Sequence, residues 1–182
     1  MKNDSNLAVL VAGLFVLASY GVHRWDTHAQ AQRAAQALDQ ISNWSSLPRL
    51  VARETIEKYG PPQAILAGKL AWDAHRPWKR IAVLDVPTAP LEQVVAYSGP
   101  TRSLQDLVLF SYGSRVYADG ADLAARGNTE ELNLLSLNLG DDIAQGRRTP
   151  AEAKRLYLRT LRLAVSGKAS PYMEKLRFPV LR

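Results

Sequence analysis

Apolar residues are spread very unevenly along this chain. Leu7 to Val22 reads LAVLVAGLFVLASYGV, an uncharged run that is apolar on every side of a helix. Beyond it, hydrophobic and polar positions alternate at the periods of ordinary helices and strands. The run has two main readings. As a secretory signal, the polar start MKNDSN precedes an apolar centre and Val16-Leu17-Ala18, a small-x-small site for cleavage before Ser19. As an uncleaved anchor it is short beside the ~20 residues of a spanning helix. Yet no helix breaker follows it, and Tyr20 and Trp25 fall where an interfacial aromatic belt belongs. A buried core helix fits less well, because a run with no polar face leaves nothing to turn toward water.

From Arg24 to Ile41 the pattern is weakly helical, with Ala31, Ala34, Leu38 and Ile41 among many Gln and Ala. It reads as a stalk or packing helix ending at the turn residues Ser42-Asn43 and Ser45-Ser46-Leu47-Pro48. A second helix starts at Pro48, a residue suited to a first turn. Leu50, Ile56 and Tyr59 give it an apolar stripe, Gly60 supplies its C-terminal reversal, and Pro61-Pro62 forbid its continuation. Strand-like runs follow at Ala64–Trp72, Lys79–Asp85 and Leu91–Ser98, and the short links between them favour antiparallel pairing. A short helix capped by Thr101 is expected over 101–111. Asp119-Gly120 is a hairpin signal between Gly113–Ala118 and Ala121–Ala125.

Two well-signalled helices close the chain. Asn128 with Glu131 reads as a capping box ahead of Leu132, Leu135, Leu139 and Ile143, and Gly146 stops that helix. Thr149, Pro150 and Glu152 cap the next one. Its inner face is Ala153, Leu156, Tyr157, Thr160, Leu161 and Ala164, and it ends at Gly167. The expected architecture is α+β. A transmembrane or signal helix (1–23) leads into a stalk or packing helix (24–47). One domain (48–182) then places an antiparallel sheet under a C-terminal helical hairpin.

Composition narrows the chemistry. The 182 residues include no cysteine, which excludes disulfides, thiolate nucleophiles, Fe–S clusters and Cys-type zinc sites. The net charge of +6 is one-sided: Arg147 to Arg182 carries ten Lys/Arg against Glu152 and Glu174, and the remainder is slightly acidic. Such asymmetry fits an anionic partner surface. With an envelope location, this favours lipid head groups or an acidic protein over nucleic acid.

Catalytic signatures are missing from the sequence. His23, His28 and His75 form no HExxH pair, and His23 and His28 stand five apart, off the i,i+4 spacing of one helix face. No GxSxG, SxxK, P-loop or dinucleotide fingerprint occurs, so neither metal, cofactor nor nucleophilic serine is expected. Asp141-Asp142 are adjacent helical positions that diverge by about 100°, which reads as a pair on the solvent side of a helix end. Asn138 falls on the apolar side of its helix, as a structural hydrogen-bonding group or as a polar group in a ligand pocket. Trp78 beside Arg76, Lys79 and Arg80 has the composition of an interaction hot spot, or of a strand-anchoring indole with solvated neighbours. Arg155, Arg159 and Arg162 follow i, i+4, i+7 and line one outward stripe, either a solvated face or an anion-binding one.

The motifs EKYGPP (Glu57–Pro62), PWKR (Pro77–Arg80), LEQVV.Y (Leu91–Tyr97), N.L.LNL..DI..G.RT..EA (Asn133–Ala153) and SPY..KL.F (Ser170–Phe178) occur in that order. In these the chain resembles a family of small, uncharacterised bacterial proteins, over roughly Arg53 to Phe178. It departs from that family at Asp73-Ala74-His75-Arg76. The resemblance implies bacterial origin and brings no activity with it, and the envelope location is what the N-terminal run suggests. A helix ending in YGPP before a Trp-bearing strand is also similar to small envelope assembly lipoproteins, although no lipobox cysteine is present. The functional expectation is a non-catalytic accessory or interaction module, single-pass in the inner membrane with its domain in the periplasm, or released there after cleavage. The alternative is a small-ligand or lipid-binding domain with a pocket between sheet and helices and Asn138 near its floor.

Membrane attachment is expected to depend on Leu7–Val22. Deleting residues 1–23 should move the protein, still folded, from the membrane to the soluble fraction. Full-length protein with an intact N-terminus in the soluble fraction would end the anchor reading, and an N-terminus at Ser19 would establish cleavage.

Overall fold

The computed structural model describes residues 28–100, 115–119 and 121–181. The apolar run Leu7–Val22 and the helix expected over 101–111 lie outside them. Among the described residues no helix is long and apolar enough to cross a membrane. The elements are α1 (His28–Gln40), a 3₁₀ turn (Ile41–Asn43), α2 (Ser46–Tyr59), β1 (Ala64–Leu66), β2 (Lys69–His75), β3 (Trp78–Leu84), β4 (Leu91–Ala96), β5 (Arg115–Asp119), β6 (Asp122–Gly127), α3 (Glu130–Ala144), α4 (Pro150–Val165) and a single turn, α5 (Pro171–Glu174).

The strands form one antiparallel sheet in the order β1-β2-β3-β4-β6-β5. The mixed α+β architecture is as the sequence predicts. The run expected as one strand over 64–72 is two. Gly68, at φ +71°, makes the tight turn that pairs Leu66 with Lys69, a left-handed conformation that favours glycine. The β5–β6 hairpin closes at the pair Asp119↔Asp122.

Register sets which residues face the helices. Trp72, Ile81, Gln93, Ala125 and Val116 stand side by side across five strands, and α2 and α3 cover that face. The inward side of α2 is Val51, Ala52, Thr55 and Ile56, whereas Leu50 of the expected stripe points out and is exposed. The segment read as a stalk or packing helix gives Ala37, Ile41 and Trp44 to the same core. The C-terminal hairpin is layered differently from the expectation. α3 lies on β4, β5 and β6, and α4 packs on α3 one layer further out.

From Asn133 to Ala144 every residue of α3 is buried. The sheet lies on one side and α4, α5 and the C-terminal segment on the others. Asp141 and Asp142 are therefore not on the solvent side, which corrects the expectation. Their divergence sends them to different partners. Asp141 accepts from Tyr97 Oη at 2.8 Å and pairs with Arg147. Asp142 accepts from Arg147 Nε at 2.8 Å, Arg148 Nε at 2.9 Å and Tyr172 Oη at 2.7 Å. Gly146, at φ +69°, reverses the chain so that both arginines return to this point. Burial pushes the Asp142 carboxyl up, but hydrogen bonds from Arg147, Tyr172 and Arg148 outweigh it and hold it below its ordinary range.

A carboxyl held low in the folded state stabilises the fold above its unfolded value, about pH 4, and that contribution is lost as pH falls through the lowered folded value. Asp142→Asn is expected to cost about 1–3 kcal/mol at neutral pH, because both guanidiniums remain partly open to water and can rehydrate. In urea melts across the acid range, the difference between wild type and variant should shrink as pH drops below 4 or so. A constant difference down to the acid end would take the ionised pair out of the account.

Candidate interaction surface and recess

Of the two readings of Trp78, the structure fits the strand-anchoring indole: at the start of β3 it is 1% exposed and sits in the core, its Nε1 donating to Tyr59 Oη at 2.9 Å. The β2–β3 ladder keeps one register from Asp73↔Arg80 to His75↔Trp78, with Ala74 at φ +56° between. Trp78 reaches Tyr59 on α2, while Arg80 pairs with Glu92 at 3.3 Å. Glu92 also accepts from Tyr117 Oη at 2.5 Å. Lys79 is mostly exposed and pairs with Asp122 at 2.6 Å. Trp78, Lys79 and Arg80 thus do not form one patch.

Asn138 is buried and saturated. Its Nδ2 donates to the carbonyls of Tyr172 at 2.9 Å and Lys175 at 2.8 Å, and its Oδ1 accepts from the Arg177 amide at 2.7 Å. It fastens the segment after α4 onto α3. No pocket floor is built from it.

Arg155, Arg159 and Arg162 are gathered as the spacing predicts. α4 buries Ala153, Tyr157 and Thr160 against α3 and leaves the three arginines exposed. Glu152, on the same helix, is occupied at the N-terminus: its Oε2 accepts from the Thr149 amide at 2.8 Å, and its own amide donates to Thr149 Oγ1 at 3.3 Å. Among the described residues none forms an ion pair with Arg155, Arg159 or Arg162.

A recess of about 370 Å³ opens between α2, β4 and the first turn of α3. Its residues include Glu54, Lys58 and Tyr59 from α2, Gln93 from β4, and Glu130 and Glu131 from α3. Glu130 is bound on two sides, by Lys58 Nζ at 3.1 Å and Tyr59 Oη at 2.7 Å. Burial and the Glu130 charge push the Tyr59 hydroxyl far above its ordinary range, so it remains a donor. The helix cap differs from the sequence reading by one residue. Thr129 caps α3, accepting from the Leu132 amide at 3.3 Å, while Asn128 Oδ1 accepts from the Ala89 amide at 2.9 Å. The sequence reading put a pocket between sheet and helices at Asn138 and did not single out these residues as its lining. The signal for this recess was a glutamine at an inward position of β4, two residues from Leu91 and two from Val95.

Among the described residues, no cluster of His, Asp and Glu could hold a metal ion. His75 rests edge-on to the Tyr59 ring, with Gln63 Nε2 at 3.3 Å. Compared with family models, curated proteins and solved structures, the chain matches none of them.

Asn138→Ala removes three hydrogen bonds at once and leaves buried backbone groups to find other partners. The expected cost is about 2–4 kcal/mol, at ~1 kcal/mol or more for each lost buried bond. Amides of 172–178 should exchange faster with solvent than the sheet does. Unchanged protection of that segment would show that Asn138 does not hold it.

Proposed function

We propose that the chain is a non-catalytic accessory module of the bacterial envelope, held at the inner membrane by Leu7–Val22 with its domain in the periplasm, where it engages a protein partner. Its working surface is the outer face of α4, which lies against an anionic leaflet. The observation that carries this reading is the set of three exposed arginines on the outermost helical layer, none in an ion pair with a described residue. Brought onto adjacent turns of one face by their spacing, they repel one another, and an anionic surface relieves that repulsion. Five residues separate Val22 from His28, so a tether at Leu7–Val22 keeps the domain close to head groups and raises their effective concentration.

Each cation near an anionic leaflet contributes about 1 kcal/mol. Replacing Arg155, Arg159 and Arg162 by Gln should therefore weaken partition of residues 24–182 onto phosphatidylglycerol vesicles by about ten- to a hundredfold. Stability should change by less than about 0.5 kcal/mol, as for most surface substitutions. Wild-type partition should fall as salt rises and be absent on phosphatidylcholine. Partition unaffected by the substitutions or by salt would return the stripe to an ordinary solvated face. Binding to an acidic protein in place of vesicles would keep the surface and change its partner.

A second reading, a small-ligand domain with its pocket between sheet and helices, is supported by one observation: the recess between α2, β4 and α3.

A further inference from the structure

The floor of that recess contains a buried donor whose orientation is fixed by a chain of hydrogen bonds. The Leu91 carbonyl can only accept, so the atom of Asn133 facing it at 3.2 Å is the donor Nδ2. The same Nδ2 faces Gln93 at 3.0 Å, so the Gln93 atom there must be the acceptor Oε1. Flipping either amide sets two donors or two acceptors against each other. Gln93 Nε2 is the fork that remains, and it has no acceptor among the described residues. Gln93 is 0% exposed, on an interior strand of the sheet, and lines the recess. An unmet buried donor costs about 1–3 kcal/mol, which a native fold retains where something supplies the acceptor.

The rim adds charge. Glu54 on α2 and Glu131 on α3 line the recess, are exposed, and form no ion pair with a described residue. Glu130 already has Lys58 and Tyr59. Two carboxylates with no ion pair to a described residue thus line the same recess as one N–H donor without an acceptor, while the Lys58 cation there is taken by Glu130. An anion would meet the carboxylates. A bare metal ion would meet the positive end of the amide N–H. A molecule with an ammonium group and an oxygen acceptor satisfies both. The volume, at ~30 Å³ for each water-sized group, holds about a dozen of them, the size of one hexose.

We propose that this recess binds a small organic cation that carries an oxygen acceptor, of the amino-sugar or amino-alcohol class, with its ammonium at Glu54 and Glu131 and its oxygen accepting from Gln93 Nε2. The inference rests on the ligand-domain reading and is independent of the basic face of α4.

The test is calorimetric titration of the full chain in detergent micelles with glucosamine, glucose and ethanolamine. Glucosamine should bind saturably and more weakly as salt rises. Glucose, which lacks the ammonium, should bind at least about tenfold more weakly, the equivalent of ~1.4 kcal/mol. The pair Glu54→Gln and Glu131→Gln, both at exposed positions, should lose a similar factor. Gln93→Leu leaves the Asn133–Leu91 bond in place and should weaken glucosamine about two- to tenfold, the range of one hydrogen bond. Should that variant fail to fold, the rim pair decides alone. Glucose binding as well as glucosamine, with the rim pair indifferent, would overturn the cation and leave a ligand domain. No saturable binding by glucosamine, glucose or ethanolamine would overturn the recess as a site for this class, and the ligand-domain reading would fall only if the Gln93→Leu variant also gained stability, as a donor with no ligand to meet would allow. Vesicle partition by α4 would stand or fall separately.

Discussion

The rest of the structure is organised around a helix with no side left open to water. α3 is enclosed from Asn133 to Ala144, and five of those residues are polar: Asn133, Ser136, Asn138, Asp141 and Asp142. A buried polar group without a partner costs more than its hydrogen bond would contribute. Four of the five therefore select particular neighbours. Asn133 reaches β4, Asn138 the stretch after α4, Asp141 the end of β4 through Tyr97, and Asp142 the α3–α4 turn and α5. Apolar burial provides most of the driving force for the core. These contacts choose which strand and which C-terminal segment lie against which turn of α3, since a shift of one residue would strand several of them.

The same enclosure explains what could be read from the sequence and what could not. Thr149, Pro150 and Glu152 are a local device and form the cap they predict. The stops at Gly60, Gly146 and Gly167 are equally local, each with a positive φ. Expectations failed where the partner was distant in sequence. Asp141 and Asp142 look like solvent-side charges until Arg147 and Arg148 fold back and Tyr97 and Tyr172 arrive from 44 and 30 residues away. Asn138 could be placed on the inward side of its helix, but its partners are backbone groups of an irregular segment that has no pattern. For Trp78 the sequence left two readings open, and the contact that decides between them, with Tyr59 of α2, comes from 19 residues away. At the start of α3, Asn128 and Thr129 are both good cap residues. The choice fell to Thr129 because Asn128 is held by the Ala89 amide across the fold.

Charge counting has to be corrected by the same contacts. The C-terminal excess of positive charge looked like a single patch. Arg147 and Arg148 are spent on the two buried aspartates, and Arg177 lies over the Tyr172 ring at 4.9 Å. What remains as one stripe on α4 is Arg155, Arg159 and Arg162, with Lys154 beside them and Lys168 and Lys175 exposed further along the chain. The usable field is thus smaller than the sum and more sharply placed. A stripe on one rigid helix acts at closer range on a flat anionic surface than the same charges scattered along a tail, where solvent and counterions screen them over ~10 Å.

α3 also separates the two signs. Glu130 and Glu131 occupy its first turn and Arg147 and Arg148 return to its last, the arrangement that complements a helix dipole. The dipole alone accounts for acids at the start of α3, and any helix of this length would benefit from them. It does not account for Gln93. An interior strand position between Leu91 and Val95 would accept another aliphatic residue at no cost in hydrogen bonding, and Asn133 Nδ2 would still have the Leu91 carbonyl. A glutamine there introduces a donor that nothing among the described residues satisfies. The acids place negative charge near the recess for reasons internal to the fold, so the buried amide is the feature that points beyond it to a ligand.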